Sequence, residues 1–297
     1  MPGVVTLWRR LPVVVRAVIV GALVATAGTG PWALLVGANL KHGSAVPWAV
    51  PPTALYLWLF WRYVRGAGWP RSTSEARRET SRFRRLPDEV WGMAMIAGVV
   101  GLVALLMFQN VLGRMVSLPQ QRDIDPSRYP LPTVMAWVLM SAVVAGVVEE
   151  VAFRGYMQRP IERRHGPLVA ILVTGSMFGF AHFTHPEVGL SLLPFYLSVA
   201  AVYGMLTHLT DSIQPSMILH GGGNVFAAIG LFAGGRSEWQ LVSGPQPLIW
   251  ETGPDPSFWL SAALAAAAVA AAVWAYRELG RVTRASAAAR TNAAMSG

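Results

Sequence analysis

YPLPTVMAWVLMSAVVAGVVEEVAFRGYMQ, residues 129–158, opens with twenty uncharged residues, Tyr129–Val148, and then sets Glu149 and Glu150 side by side. A helix of about 20 apolar residues crosses the ~30 Å hydrocarbon core of a bilayer. The run is long enough to do so, and the carboxylates fall inside it. The rest of the chain has the same character. Of its 297 residues, 54% are hydrophobic and 13% charged, and mean hydropathy is +0.44. Soluble domains carry about a quarter charged residues. The composition therefore predicts an all-α, polytopic transmembrane helix bundle and excludes disorder, a secreted miniprotein and a coiled coil. There is no cysteine, which removes disulfides, thiol nucleophiles and cysteine-held metal.

Working outward, apolar stretches recur at 11–40, 47–63, 90–112, 131–157, 168–184, 189–209, 216–233 and 258–276. They predict about eight membrane helices. The formal net charge of +9 comes from arginines clumped beside these stretches: eight between Arg62 and Arg85, three between Arg159 and Arg164, four between Arg277 and Arg290. Basic residues collect in short cytoplasmic loops. An even helix count then puts both termini and all three clumps on the cytoplasmic side. Topology accounts for the charge, so the expected surroundings are a lipid bilayer and not nucleic acid. The Arg- and Ala-rich, cysteine-free composition points to a prokaryotic inner membrane.

An ionisable group inside a bilayer costs a few kcal/mol and by default marks function. Arg154 follows Glu150 by four residues, so the two can pair along one helix face. Glu149 points about 100° away and lacks that partner. A partly desolvated, unpaired carboxylate suits a general base.

The histidines add a second constraint. Counted from a turn near Gly166, Glu149 lies seventeen residues before and His182 sixteen after, which places them at one height on antiparallel helices. His220, five residues beyond Pro215, is expected to be shallower, at the cytoplasmic start of the seventh helix. Asn224 shares its face, one turn on. Gly175 and Gly179 form a GxxxG pair that permits close helix approach. His185 and His208, near helix ends, read as structural.

Glu149-Glu150-Val-Ala-Phe-Arg154, Phe178-Gly-Phe-Ala-His182 and His220-Gly-Gly-Gly-Asn224 match EExxxR, FxxxH and HxxxN. In this order, each on an apolar helix, they resemble the CPBP family of CAAX-protease-type (ABI) intramembrane endopeptidases. The resemblance covers about residues 131–235. It divides the chain into N-terminal transmembrane helices with a basic loop (1–130), a catalytic core (131–235), and a loop, last helix and basic tail (236–297). It implies an enzyme acting on a membrane-associated peptide or protein. Glu149 and His182 would activate water, Glu150 with Arg154 would position His182 or the helix, and His220 and Asn224 would hold the oxyanion. Phe178 would line the substrate site. No HExxH pair is present and the site histidines lie on separate helices, so a glutamate-type mechanism without metal is expected, with zinc as the alternative. Other readings of a membrane carboxylate pair are a proton- or ion-coupled transporter, which inverted repeats would favour and none are found, and a non-catalytic scaffold of the same family. A rhomboid-like serine protease would need Ser176, which lacks the GxSG context.

Overall fold

A computed structural model describes residues 2–42, 45–117, 128–183, 186–234 and 247–296, with the side chains of 2–5, 186–188, 231–234 and 296 excepted. In chain order the helices are α1 (Pro2–Arg10), α2 (Val13–Lys41), α3 (Val50–Val64), α4 (Ser74–Thr80), α5 (Asp88–Met115) and α6 (Leu131–Val144). A π-helical stretch, Ala145–Gln158, continues α6 into α7 (Arg159–His165). Then come α8 (Pro167–Ala181), α9 (Pro186–Thr210), α10 (Gln214–Gly234), α11 (Ile249–Thr252) and α12 (Pro256–Ser296). No strand occurs among the described residues.

The protein is a polytopic all-α membrane protein. Each apolar stretch read from the sequence forms helix over most of its length. Among the described residues, five helices are long and apolar enough to cross a membrane: Val13–Lys41, Asp88–Met115, Leu131–His165, Gly189–Thr210 and Pro256–Met295. Helix α3 and helix α8 have 15 residues each, short of a full crossing. Leu34, Leu168, Leu190, Leu264 and Trp274 face outward, as lipid contact requires and water would penalise.

The central element is the 35-residue rod Leu131–His165. Gly166 ends it at φ +83, a left-handed conformation that glycine adopts without strain, and Pro167 opens α8. Helix α2 lies along the rod, with Gly21 beneath Met157 and Gly28 beneath Val148. Helices α8 and α9 pack through Gly175, against Leu197 and Ala200, and through Gly179, against Leu193 and Tyr196, so the GxxxG pair is a packing device. Helix α12 runs antiparallel to α5: Asn110 Nδ2 donates to Ser261 Oγ at 3.3 Å, and Ser286 Oγ donates to Glu89 at 2.8 Å.

Two regions differ from the sequence reading. The residues after Tyr276, read as a tail, are helical to Ser296; their alanine content favours helix wherever packing does not forbid it. The basic 62–85 segment is folded rather than a solvated loop. Arg77 is buried and donates to the carbonyls of Tyr63, Ala67, Gly68 and Pro70. Arg82, also buried, bonds both oxygens of Glu162, at 3.0 and 2.7 Å, and Asp211 at 3.1 Å. Arg159 Nη1 reaches the same Asp211 oxygen at 2.7 Å, and His208 Nδ1 meets Glu162 at 2.8 Å. This network ties the basic segment to the rod and to the α9–α10 turn.

Candidate active site

The π-helical stretch carries both glutamates and Arg154. Among them, Glu150 is 0% exposed and Arg154 1%. The Glu150 carboxylate lies 3.2 Å from Arg154 Nη1, along one face as the i, i+4 spacing predicts. Burying this pair demands mutual compensation. The guanidinium gains more from ring faces, lying 5.3 Å from the centre of Phe178 and 5.5 Å from that of Tyr203.

The other ionisable partner of Glu150 is His220, whose Nδ1 lies 2.9 Å from Oε1. An ionised carboxylate can only accept, so Nδ1 carries the proton, and Nε2 is turned to Glu149 Oε2 at 3.7 Å. Of the two roles expected for Glu150, holding the helix through Arg154 fits this geometry, while its imidazole partner is His220 and not His182. One expectation is corrected: His220 is not shallower than the glutamates. Helix α10 enters sunk into the bundle. A methyl group on Gly146 would sit 2.8 Å from the Met217 carbonyl oxygen, and one on Gly221 would sit 3.3 Å from that of Ala142. Met217 thus faces Gly146 and His220 lies deeper still. The turn before α10 is roofed by the basic segment, where Ile213 N donates to Arg82 O at 3.1 Å and Ser212 Oγ to Arg84 O at 2.7 Å. Counting residues from Pro215 therefore understates how deep His220 lies in the bundle.

Glu149 stands outside the Glu150–Arg154 ion pair, as its helical offset predicts. Its side chain is 17% exposed, and its buried Oε2 has no hydrogen-bond partner among the described protein atoms. It faces a cavity of about 760 Å³ that His182, His220, Asn224 and Phe178 also line. All three motifs thus meet at one cavity.

His182 stands at the C-terminal cap of α8 rather than inside the helix. Its Nδ1 lies 2.7 Å from the Phe178 carbonyl oxygen, an acceptor only, so Nδ1–H donates and the neutral ring keeps its lone pair on Nε2. The ring stacks on Tyr196 at 4.9 Å and 28°. Phe178 sits centrally, 4.5 Å from the His182 ring and 6.1 Å from His220. It is the partition that sets the two imidazoles apart.

Sequence reasoning missed Tyr196 and Tyr203. They lie seven residues apart on one face of α9, and Tyr203 stacks flat on His220 at 5.1 Å and 17°. That two-turn aromatic spacing was the available signal. Missed as well was the wall given by α5, with Leu102, Leu105, Leu106 and Gln109; the leucines carry no signal by residue type, whereas Gln109, a buried polar side chain in an apolar helix, was the available one. Of the remaining candidates, His208 is committed to Glu162, Ser176 Oγ donates to its own helix at Leu172, and His185 lies outside the described residues. Among the described residues no three His, Asp or Glu side chains converge closely enough to hold a metal ion.

Residues 131–226 match the family model described as Type II CAAX prenyl endopeptidase Rce1-like. All three motifs lie within the match, and the resemblance to the CPBP family holds over this segment. The uncharacterized protein YyaK of Bacillus subtilis (strain 168) is 30% identical over 115 residues, which is 35% of this chain. The match covers 38% of that relative's length. No solved structure matches.

Proposed function

We propose that the protein is an intramembrane endopeptidase in which Glu149 and His182 activate a water against a peptide carbonyl, and His220 and Asn224 hold the oxyanion. At the family level the matched domain is a CAAX-type intramembrane protease domain. The observation that carries the residue roles is the buried oxygen of Glu149, which accepts no hydrogen bond from the described protein atoms and faces the same cavity as His220, 3.7 Å away and fixed by Glu150.

In the reaction, Glu149 accepts a proton from water while His182 Nε2 accepts a hydrogen bond from the same molecule and orients it. The hydroxide adds to the scissile carbonyl carbon. In its imidazolium form, balanced by Glu150, His220 donates Nε2–H to the developing oxyanion beside the Asn224 amide, and such preorganised donors favour the transition state. Collapse breaks the C–N bond, with the proton on Glu149 passing to the leaving amine. The new carboxylic acid gives its proton to the amine, so the products are a carboxylate and an ammonium group. Arg154 acts through Glu150 as a positioning residue. The mechanism calls for no metal.

The cavity wall includes Ile218, Phe226 and Ile229, which are also exposed on the outer face of α10. A substrate tethered in the bilayer therefore has a sideways route to Glu149. We place the arginine-rich segments and both termini on the cytoplasmic side of a prokaryotic inner membrane, with a membrane-associated peptide or protein as substrate.

The test is turnover of quenched fluorescent peptides, prenylated and non-prenylated, by purified wild type and Glu149→Gln, with and without chelator. Glu149→Gln is expected to lower kcat by about 10²–10⁴-fold, the range a general base supplies. Equal turnover by both proteins overturns the assignment. Loss of activity on chelation, restored by zinc, overturns the metal-free mechanism alone.

A further inference from the structure

Behind the α5–α9 wall of the catalytic cavity lies a second concavity. It is a groove of about 850 Å³ between α5, α9 and α12. Leu105 belongs to both, one to each side. Helix α9 presents Val199 and Tyr203 to the catalytic cavity but Ala201, Val202 and Met205 to the groove, as a 100° step per residue allows.

The groove has two chemically distinct parts. Its length is apolar, walled by Phe108, Val202, Met205, Val269 and Val273. One end carries Arg277, Arg281 and Arg284 around Gly280. Spaced at i, i+4 and i+7, these arginines share the face of α12 that holds Val269 and Val273 near its other end. Glu278, bonded to Arg281 at 2.5 Å, offsets one of the three positive charges. From Val269 to Arg284 the helix rises ~22 Å at about 1.5 Å per residue. That is room for an acyl chain below a headgroup. The slot lies between three of the membrane-crossing helices, α5, α9 and α12, and the arginines fall where α12 passes from its alanine-rich span into its polar end. Guanidinium groups bind phosphate oxygens in a paired, planar geometry.

We infer that this groove is a binding site for an anionic phospholipid, with an acyl chain along α5, α9 and α12 and the phosphate at Arg277, Arg281 and Arg284. The lipid is a resident of the fold. It is not the substrate, because the α5–α9 wall separates it from Glu149. Its chain braces α12 against the two helices that form that wall.

The site can be tested by native mass spectrometry of the full chain in detergent, titrated with phosphatidylglycerol or phosphatidylcholine of identical chains. The readout is lipid retention, which does not depend on peptide hydrolysis. Wild type is expected to retain one phosphatidylglycerol about tenfold more tightly than phosphatidylcholine, a scale set by the pull of basic side chains on anionic headgroups. Arg277→Ala/Arg281→Ala/Arg284→Ala changes exposed side chains only and is expected to abolish that preference. Ala201→Phe, which fills the slot, is expected to weaken both lipids. Arg62→Ala/Arg65→Ala/Arg78→Ala, on a separate basic patch, is expected to leave the preference intact. Equal retention of both lipids by wild type overturns the inference. So does a preference that survives the α12 triple substitution, or one lost only with the Arg62, Arg65 and Arg78 variant.

Discussion

Replacing Arg154 by Met separates the structural role of the buried ion pair from its chemical one. Glu150 is 0% exposed and Arg154 1% exposed. With Arg154 gone, the Glu150 carboxylate keeps one charged partner, His220 at 2.9 Å. Stranding one member of a buried pair costs about 3–5 kcal/mol. The lower end, about 3 kcal/mol, is expected here because His220 still hydrogen-bonds the carboxylate, and because Met fills much of the space between Phe178 and Tyr203. Glu150→Gln/Arg154→Met removes both charges and should recover most of that loss, since a buried pair is worth little over a well-packed neutral replacement. Activity should not return with it: a neutral amide in place of the Glu150 carboxylate cannot balance an imidazolium at His220, so the oxyanion loses a charged donor. The assay is reversible unfolding in mixed micelles by SDS, paired with peptide turnover, for wild type and both variants. A single-variant loss under about 1 kcal/mol would refute the claim that burial makes the pair interdependent. So would additive losses in the double variant. Recovery of turnover alongside stability would refute the positioning role of Glu150.

Two further outcomes follow from contacts around the same pocket. Gly146→Ala puts a methyl group 2.8 Å from the Met217 carbonyl oxygen. As backbone, that atom cannot swing aside, so a loss of about 1–3 kcal/mol is expected, with kcat falling as α10 moves His220 off Glu150; the same unfolding and turnover assays read both. Asn224→Ala is expected to lower kcat by about 10²–10³-fold with KM little changed, the cost of one oxyanion donor. Steady-state kinetics check it, and a rise in KM at constant kcat would make Asn224 a ground-state contact instead.

The sequence alone determined the class of the protein and which motif residues line one cavity. Runs of about 20 apolar residues can satisfy their backbone groups in lipid only as helices, and a helix repeats every 3.6 residues. Together these placed Glu150 and Arg154 on one face and turned Glu149 elsewhere. What helical spacing could not determine is how far each helix slides along its neighbours. That depends on where glycines let backbones touch, as at Gly146 and Gly221, and on what covers the helix ends. The Arg82–Glu162–Asp211 network roofs the start of α10 and sinks His220 beside Glu150, through pairs separated by 80 and 129 residues. Counting from Pro215 missed this because long-range charge pairs leave no periodic signal. The partnership of Glu150 with His220, the ring of Tyr203 beneath that imidazole and the lipid-sized slot behind α9 exist only once α5, α9, α10 and α12 are packed.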